Sequence, residues 1–494
     1  MRKRLMAIVM TLMLGFTMVP YSAFAGTHTV TETTTGCIAI NNAVNNDEFA
    51  AYKVIDITYD AATKSLTHAF NTDFQDYFTS KSVTIKDFAG LVNGSDTLND
   101  KLSGIPKYII DNSIPAAKTG TVVDGKVAFT DLAMGEYLII PTSTASVYQL
   151  MLQKLEPQVK NSAYILDDVE VNAKKTDVSV TKAVDKDSVT RGEALTYTIT
   201  ADIPNYMLSA TNKAFEIVDS LDTGLILTDD PIEVKFSDAT VADAGMYSLD
   251  INSNKGGFKF SVSDSKYNAE WKTRAEGNIK LIIKYKATID KTASTDIKTF
   301  ENTVNYTYHT LPLTGYTSHT ITKSAVAKVE SYTIKVVKFD AGDNSKKLSG
   351  AKFDLYRTLK SGEDASAGID IPGTATLLES AKKGKRLERE LTTDSDGIVL
   401  FKQYEANGNN YDYYLVETQA PAGYNLLQKA VQINFTAAET TGGIFTVQVE
   451  NSTGFQLPIT GDTGTILMSV IGLVLMGGAV VLLLLRKRKA SRAE

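Results

Sequence analysis

Residues 465–485 form an uncharged, mostly apolar run that ends against Arg486-Lys487-Arg488-Lys489. As a helix, such a run is long enough to cross the ~30 Å of hydrocarbon in a bilayer. Four consecutive cations keep their end on the cytoplasmic side, so everything before residue 465 is expected outside the cell. The opposite end agrees. Arg2-Lys3-Arg4, an apolar core over residues 5–19 and Ala23-Phe24-Ala25 have the three parts of a secretory signal. Cleavage is expected between Ala25 and Gly26, and residues 1–25 are left out of the fold.

A chain of 494 residues has room for about three domains between these ends. With 51 Lys and Arg against 57 Asp and Glu, its mild acidity gives no reason to expect a nucleic-acid partner. Cys37 is the single cysteine, so no intramolecular disulfide can stiffen the chain, although an exported protein would be permitted one. His28, His68, His309 and His319 are scattered without metal-ligand spacing, so no metal site or cofactor is expected.

The body reads as mainly β. In residues 26–175, Phe49-Ala50-Ala51-Tyr52-Lys53-Val54-Ile55-Asp56-Ile57, Lys126-Val127-Ala128-Phe129 and Gly135-Glu136-Tyr137-Leu138-Ile139-Ile140 have strand character, and residues 73–100 are expected to hold helix. In residues 176–328, Val178-Ser179-Val180-Thr181-Lys182 and Leu195-Thr196-Tyr197-Thr198-Ile199-Thr200 alternate cleanly. Strands are also predicted at Phe215-Glu216-Ile217-Val218-Asp219, at residues 279–285 and at residues 303–308. Residues 329–455 open on Tyr332-Thr333-Ile334-Lys335-Val336-Val337-Lys338-Phe339-Asp340 and close on Phe445-Thr446-Val447-Gln448-Val449-Glu450-Asn451. Strands at short intervals with turns between them predict tandem Ig-like β-sandwiches.

Three motifs carry a family resemblance. Leu457-Pro458-Ile459-Thr460-Gly461, followed by the apolar run and basic tail, resembles the sorting signal of Gram-positive wall proteins, which a sortase cuts between Thr and Gly. Tyr413-Tyr414-Leu415-Val416-Glu417-Thr418-Gln419-Ala420-Pro421-Ala422-Gly423-Tyr424 matches the pilin E-box YxLxETxAPxGY at every fixed position. Residues 329–455 therefore resemble the CnaB-type domain of pilins, and residues 176–328 the CnaA/CnaB-type middle domain. Both resemblances imply a spontaneous Lys–Asn isopeptide bond promoted by an acid. In the third unit the bond would join Lys338 to Asn451 with Glu417 as acid. In the second it would join Lys182 to Asn302 with Asp219 as acid, Asn305 being the competing partner. The chemistry needs a neutral amine, which burial favours, and a carboxamide polarised by a neutral carboxyl.

Val169-Glu170-Val171-Asn172-Ala173-Lys174-Lys175 resembles the pilin motif VxVYPKN, with Asn172-Ala173 in place of Tyr-Pro. It implies Lys174 as the nucleophile that joins one subunit to the next, with Lys175 as its competitor. Leu311-Pro312-Leu313-Thr314-Gly315 also fits LPxTG but lacks the span and tail, and Asp394-Ser395-Asp396-Gly397 lacks the later Glu of a calcium loop; both are expected to be turns.

The resemblance covers the whole chain and implies the backbone subunit of a sortase-assembled pilus, a structural protein without enzymatic turnover. Its implied partners are a class C pilin sortase, the housekeeping sortase, neighbouring copies of itself, tip and basal pilins, peptidoglycan and a host surface ligand. The alternatives are a monomeric LPxTG-anchored adhesin that binds host matrix, and a minor or basal pilin.

Overall fold

The computed structural model describes residues 26–88, 102, 104–144, 146–206, 210, 212–294, 298–310, 319–359, 369–374, 383–406, 411–454 and 473–476. The signal sequence, Leu457-Pro458-Ile459-Thr460-Gly461 and the 311–315 stretch lie outside these residues. So does the 465–485 run, apart from residues 473–476, which are helical. Among the described residues no helix is long and apolar enough to cross a membrane.

The described chain is a series of antiparallel-rich sheets that bury three large apolar cores in sequence order. The first core lies largely under the sheet Ser65–Phe70, Glu48–Asp60, Gly135–Ser143, Met151–Leu155, with Lys118–Thr121 also on Glu48–Asp60. Facing residues come from Val169–Asn172, Thr35–Asn41 and Val127–Ala133. Gly135–Ser143 is buried on both faces through Pro141, which is why it reads as an apolar run rather than an alternation.

The second core is a sandwich of two sheets. One runs Val180–Val184, Ala194–Ala201, Leu281–Ile289, Leu225–Leu227, with Glu233–Phe236 also on Leu281–Ile289. The other runs Ser248–Ile251, Gly257–Val262, Phe215–Leu221, Thr299–His309, Thr320–Glu330. The third core lies between Tyr332–Asp340 with its neighbours Ile398–Tyr404 and Ile444–Asn451, and a facing sheet of Lys383–Thr392, Lys352–Leu359, Tyr411–Gln419 and Val431–Ile433. Here the last strand pairs in parallel with the first, so the two ends of this region lie side by side.

Helix in the 73–100 stretch is confined to Gln75–Ser80 and Ile85–Phe88 among the described residues. Two helices were not anticipated, Ile105–Asp111 and Ala269–Glu276. The second starts at Asn268, whose side chain accepts from the backbone N–H groups of Glu270 and Trp271. Trp271 and Ala275, four apart on one face, pack into the second core, where Trp271 meets Phe215 and Phe236 edge-on at 5.4 Å. One apolar pair in eight residues is too short a period to announce a helix.

A polar joint links the second and third cores. Arg191 Nε donates to the Gln403 side chain, the Arg191 N–H to the Gln403 carbonyl at 3.0 Å, and Arg357 pairs with Glu193 at 2.5 Å. Glu405 sits 3.5 Å from Arg357, and burial beside Glu193 pushes its carboxyl up to about 7.

Candidate functional site

Along Tyr332–Asp340 the inward positions are Tyr332, Ile334, Val336 and Lys338, so period-2 alternation carries a lysine into the core behind three apolar residues. Lys338 is fully buried. Register sets it beside Val449 of the parallel last strand, and its Nζ donates to the Val449 carbonyl at 3.2 Å and to Asn451 Oδ1. Glu417 approaches from the facing sheet, its Oε1 3.8 Å from Lys338 Nζ. Burial outweighs the attraction of Glu417 and Glu450 and pushes the Lys338 amine down to about 8. Near neutral pH a usable fraction of this amine is therefore a nucleophile.

Asn451 Nδ2 donates to both Glu417 oxygens, at 3.1 and 3.0 Å, and to the Asn425 carbonyl at 2.8 Å. Turning the amide over would set its oxygen against that carbonyl, so the backbone of Asn425 holds the nitrogen toward Glu417. The expectation placed the acid where it polarises the carboxamide oxygen. In this structure it faces the carboxamide nitrogen instead. Glu417 shares its face with Tyr413 and Leu415, which pack into the third core. The opposite face of that strand is covered too, by Tyr414 and Val416 packed with Tyr356 and Ile371.

The second cluster is built differently. Lys182 lies on one sheet, while Asp219 and Asn302 lie on neighbouring strands of the facing sheet, where Asn302 pairs with Leu221. Asp219 follows Phe215 and Ile217 inward, and Asn302 lies between Phe300 and Val304 on the inward face of its strand. Asn305 has the opposite parity and accepts from Ser324 Oγ at 2.6 Å on the outer face. Lys182 Nζ donates to Asp219 Oδ2 and to Asn302 Oδ1, with no side-chain exposure of Lys182 or Asp219. The Tyr197 and Tyr285 rings, stacked at 5.6 Å, each lie 5.6 Å from Nζ. Burial pushes the Lys182 amine down to about 8 and the Asp219 carboxyl up. Both shifts favour the neutral pair, because desolvation exceeds their mutual attraction.

Two glycines hold these strands in place. A Cβ on Gly257, at φ +147°, would lie 2.1 Å from the Asp219 carbonyl oxygen; one on Gly397, at φ +68°, would lie 2.5 Å from that of Lys338. Gly397 belongs to the Asp394-Ser395-Asp396-Gly397 turn, closed by its N–H on the Asp394 carbonyl at 3.0 Å. The sequence reading took Gly397 only as the end of a turn and did not single out Gly257, Tyr285 or Asn425, because no motif spacing links them to the lysine–asparagine pairs.

The first core offers an instructive contrast. Lys126, Glu170 and Asn41 converge, with Lys126 Nζ 3.0 Å from Glu170 and Asn41 Nδ2 3.4 Å from it. Glu170 is nearly half exposed, and the Lys126 ion pair lowers its pKa. Lys126 keeps 22% of its side chain exposed, whereas Lys182 and Lys338 have none.

Lys174 and Lys175 lie at the junction of the first and second cores, on the wall of a cavity of about 590 Å³ shared with Gln149, Asp177, Asp202 and Glu276. Lys175 pairs with Tyr148 in a short ladder, and its side chain is 12% exposed and held by Asp177 at 2.7 Å. Lys174 is exposed.

A family profile described as a prealbumin-like fold domain matches residues 332–453, and one described as an LPXTG cell wall anchor motif matches residues 449–491. A third, described as a cell surface antigen I/II C2 terminal domain, matches residues 171–311. Fimbrial subunit type 1 of Actinomyces viscosus is 27% identical over 441 residues, covering 80% of this chain and 81% of that protein. The full-length major pilin SpaD from Corynebacterium diphtheriae superposes with a TM-score of 0.51 at 19% identity, over 86% of this chain and 99% of that one. The T6 backbone pilin of Streptococcus pyogenes does so at 0.53 and 18%, over 82% and 80%. These two likenesses establish the shared fold. With an anchor motif at its end, a prealbumin-like domain before it and a fimbrial relative along four fifths of its length, the chain is a structural subunit of an LPXTG-anchored pilus.

Proposed function

We propose that this subunit is covalently closed twice within itself and once to each neighbour. The internal bonds are Lys338–Asn451, promoted by Glu417, and Lys182–Asn302, promoted by Asp219, in units spanning residues 329–455 and 176–328. The external bond joins the Thr460 carbonyl of one copy, cut from Gly461 by a class C pilin sortase, to Lys174 of the next across the 26–175 unit. A housekeeping sortase transfers the last copy to peptidoglycan, and tip and basal pilins complete the fibre.

The observation that carries this reading is the meeting, in two separate cores, of a desolvated lysine with the side-chain oxygen of an asparagine and a buried acid. Attack of neutral Nζ on Cγ forms the amide and releases ammonia. Noncovalent domains are held by only ~5–15 kcal/mol, and a shaft under shear needs more. Lys338–Asn451 ties the first strand of its unit to the last, and Lys182–Asn302 ties one sheet to the other. Exposure favours Lys174 over Lys175 as the external nucleophile, because the attacking amine must enter another protein's active site. The joint through Arg191 and Arg357 suits a stiff shaft.

The test is a denaturing immunoblot of enzymatically released cell wall from wild type, Lys174→Ala and Lys175→Ala. The expected result is a high-mass ladder that survives boiling and disappears only in K174A. A single monomer-sized band in wild type overturns the polymer, and loss of the ladder only in K175A reassigns the lysine.

A further inference from the structure

Asp219 is one methylene shorter than Glu417, and the two acids meet their asparagines differently. Glu417 accepts directly from Asn451 Nδ2. Among the described residues Asp219 has no hydrogen bond to Asn302. Its Oδ2 accepts from Lys182 Nζ and from Tyr285 Oη, the latter at 2.8 Å, while its Oδ1 is buried without a partner. Asn302 Nδ2 donates to the same Tyr285 hydroxyl, also at 2.8 Å. Tyr285 is 2% exposed and comes from the facing sheet, its ring stacked on Tyr197 and edge-on to Phe258 at 5.0 Å. It touches the carboxyl and the leaving nitrogen at once.

We propose that Tyr285 is a catalytic residue of the middle unit, relaying a proton between Asp219 and the nitrogen that Asn302 must lose. This rests on the reading that Lys182 and Asn302 form an amide. Starting from the ion pair, Lys182 passes one proton to Asp219, and its neutral Nζ adds to Asn302 Cγ. As the C–Nδ2 bond breaks, Nδ2 takes the Tyr285 hydroxyl proton, and Tyr285 is refilled by Asp219. Nζ, now part of the adduct, gives its surplus proton back to Asp219. The five N–H hydrogens of the starting amine and carboxamide end as one on the new amide, three on ammonia and one on Asp219. Burial favours the neutral carboxyl that results and keeps the Tyr285 hydroxyl protonated, so it moves protons without resting as phenolate.

The hydrogen-bond chain reverses polarity once, from Nδ2→Oη→Oδ2 before reaction to Oδ2→Oη→Nδ2 as ammonia leaves. A hydroxyl, as both donor and acceptor, can do this. A phenyl ring cannot.

The test follows the appearance of the Lys182–Asn302 cross-linked peptide, one ammonia lighter than its parts, in freshly synthesised full chain digested at intervals. Wild type is compared with Tyr285→Phe and with Tyr197→Phe, whose hydroxyl is buried without a partner. Y285F is expected to slow this linkage at least about a hundredfold, the range of general acid–base catalysis. Y197F and the Lys338–Asn451 linkage should behave as in wild type. Amide protection along Leu281–Ile289 is read on the same samples; a Y285F chain that loses it shows the hydroxyl to be structural and overturns the relay. A wild-type rate in Y285F, or an equal slowing in Y197F, also overturns the relay and leaves the bond standing. A wild-type chain without the cross-link overturns the bond itself.

Discussion

Glu417→Gln isolates the covalent contribution to the third unit. The substitution keeps length and shape, so Lys338 and Asn451 stay in place, but a carboxamide cannot deliver the proton that ammonia needs. The bond would close a loop spanning 113 positions of sequence. Loop-closure entropy for a cross-link of about 100 residues amounts to ~4.7 kcal/mol at 25 °C, whatever the chemistry of the link. Of the donors facing Glu417, Asn451 Nδ2 and the Leu427 N–H at 2.9 Å, a glutamine oxygen can still accept from one, while its amide group opposes the other at a further ~1–3 kcal/mol. A loss of about 6 kcal/mol in a unit of this size lowers its melting point by at least ~20 °C, at about 4 °C per kcal/mol. Scanning calorimetry of the purified chain, with peptide mass spectrometry to score each bond, reads this directly. The third transition should fall while the others stay. An E417Q chain that forms the bond refutes the acid's role. A chain without the bond that melts within a few degrees of wild type refutes the loop-closure estimate.

Other outcomes follow from the same geometry. Because the neutral amine attacks and the Lys338 amine lies at about 8, linkage of Lys338 to Asn451 should accelerate about tenfold per pH unit below that value and level off above it; a flat profile from pH 6 to 8 in cell-free synthesis would contradict this. Asn302→Ala should abolish the second cross-link and Asn305→Ala leave it intact, scored on the cross-linked peptide. Gly257→Ala drives a methyl into the Asp219 carbonyl, so the strand must shift; the second cross-link should be lost and the middle transition should drop by more than ~3 kcal/mol in calorimetry. At the joint, the Glu405 carboxyl is raised, so the folded joint binds a proton more readily than the open one, and the joint should tighten as pH falls through about 7. Small-angle scattering at pH 5 and pH 8 would register the change, and Glu405→Gln should remove it.

Much of this was legible in the chain because strand alternation is local. The run from Tyr332 to Lys338 already shows which face the lysine shares, and the E-box fixes Glu417 within its strand. The same parity separates Asn302 from Asn305 once one inward neighbour is known, since residues three apart point to opposite faces. Helices Ile105–Asp111 and Ala269–Glu276 escaped because seven or eight residues make only about two turns, too few to establish a period.

The order of the segments, the mainly β character and the candidate lysines, acids and asparagines, with Asn305 still competing with Asn302, are legible in the sequence alone, being properties of short stretches. Which sheet each strand joins is a long-range matter that no local pattern encodes. The tertiary structure alone decided that Lys182 meets Asn302 across two sheets while Lys338 meets Asn451 on the neighbouring strand. It also decided that Asn425 turns the leaving nitrogen toward Glu417, and that Tyr285 fills the gap left by the shorter Asp219. These depend on strands meeting across separations of 17 to 120 residues, where packing and desolvation, rather than spacing, set the chemistry.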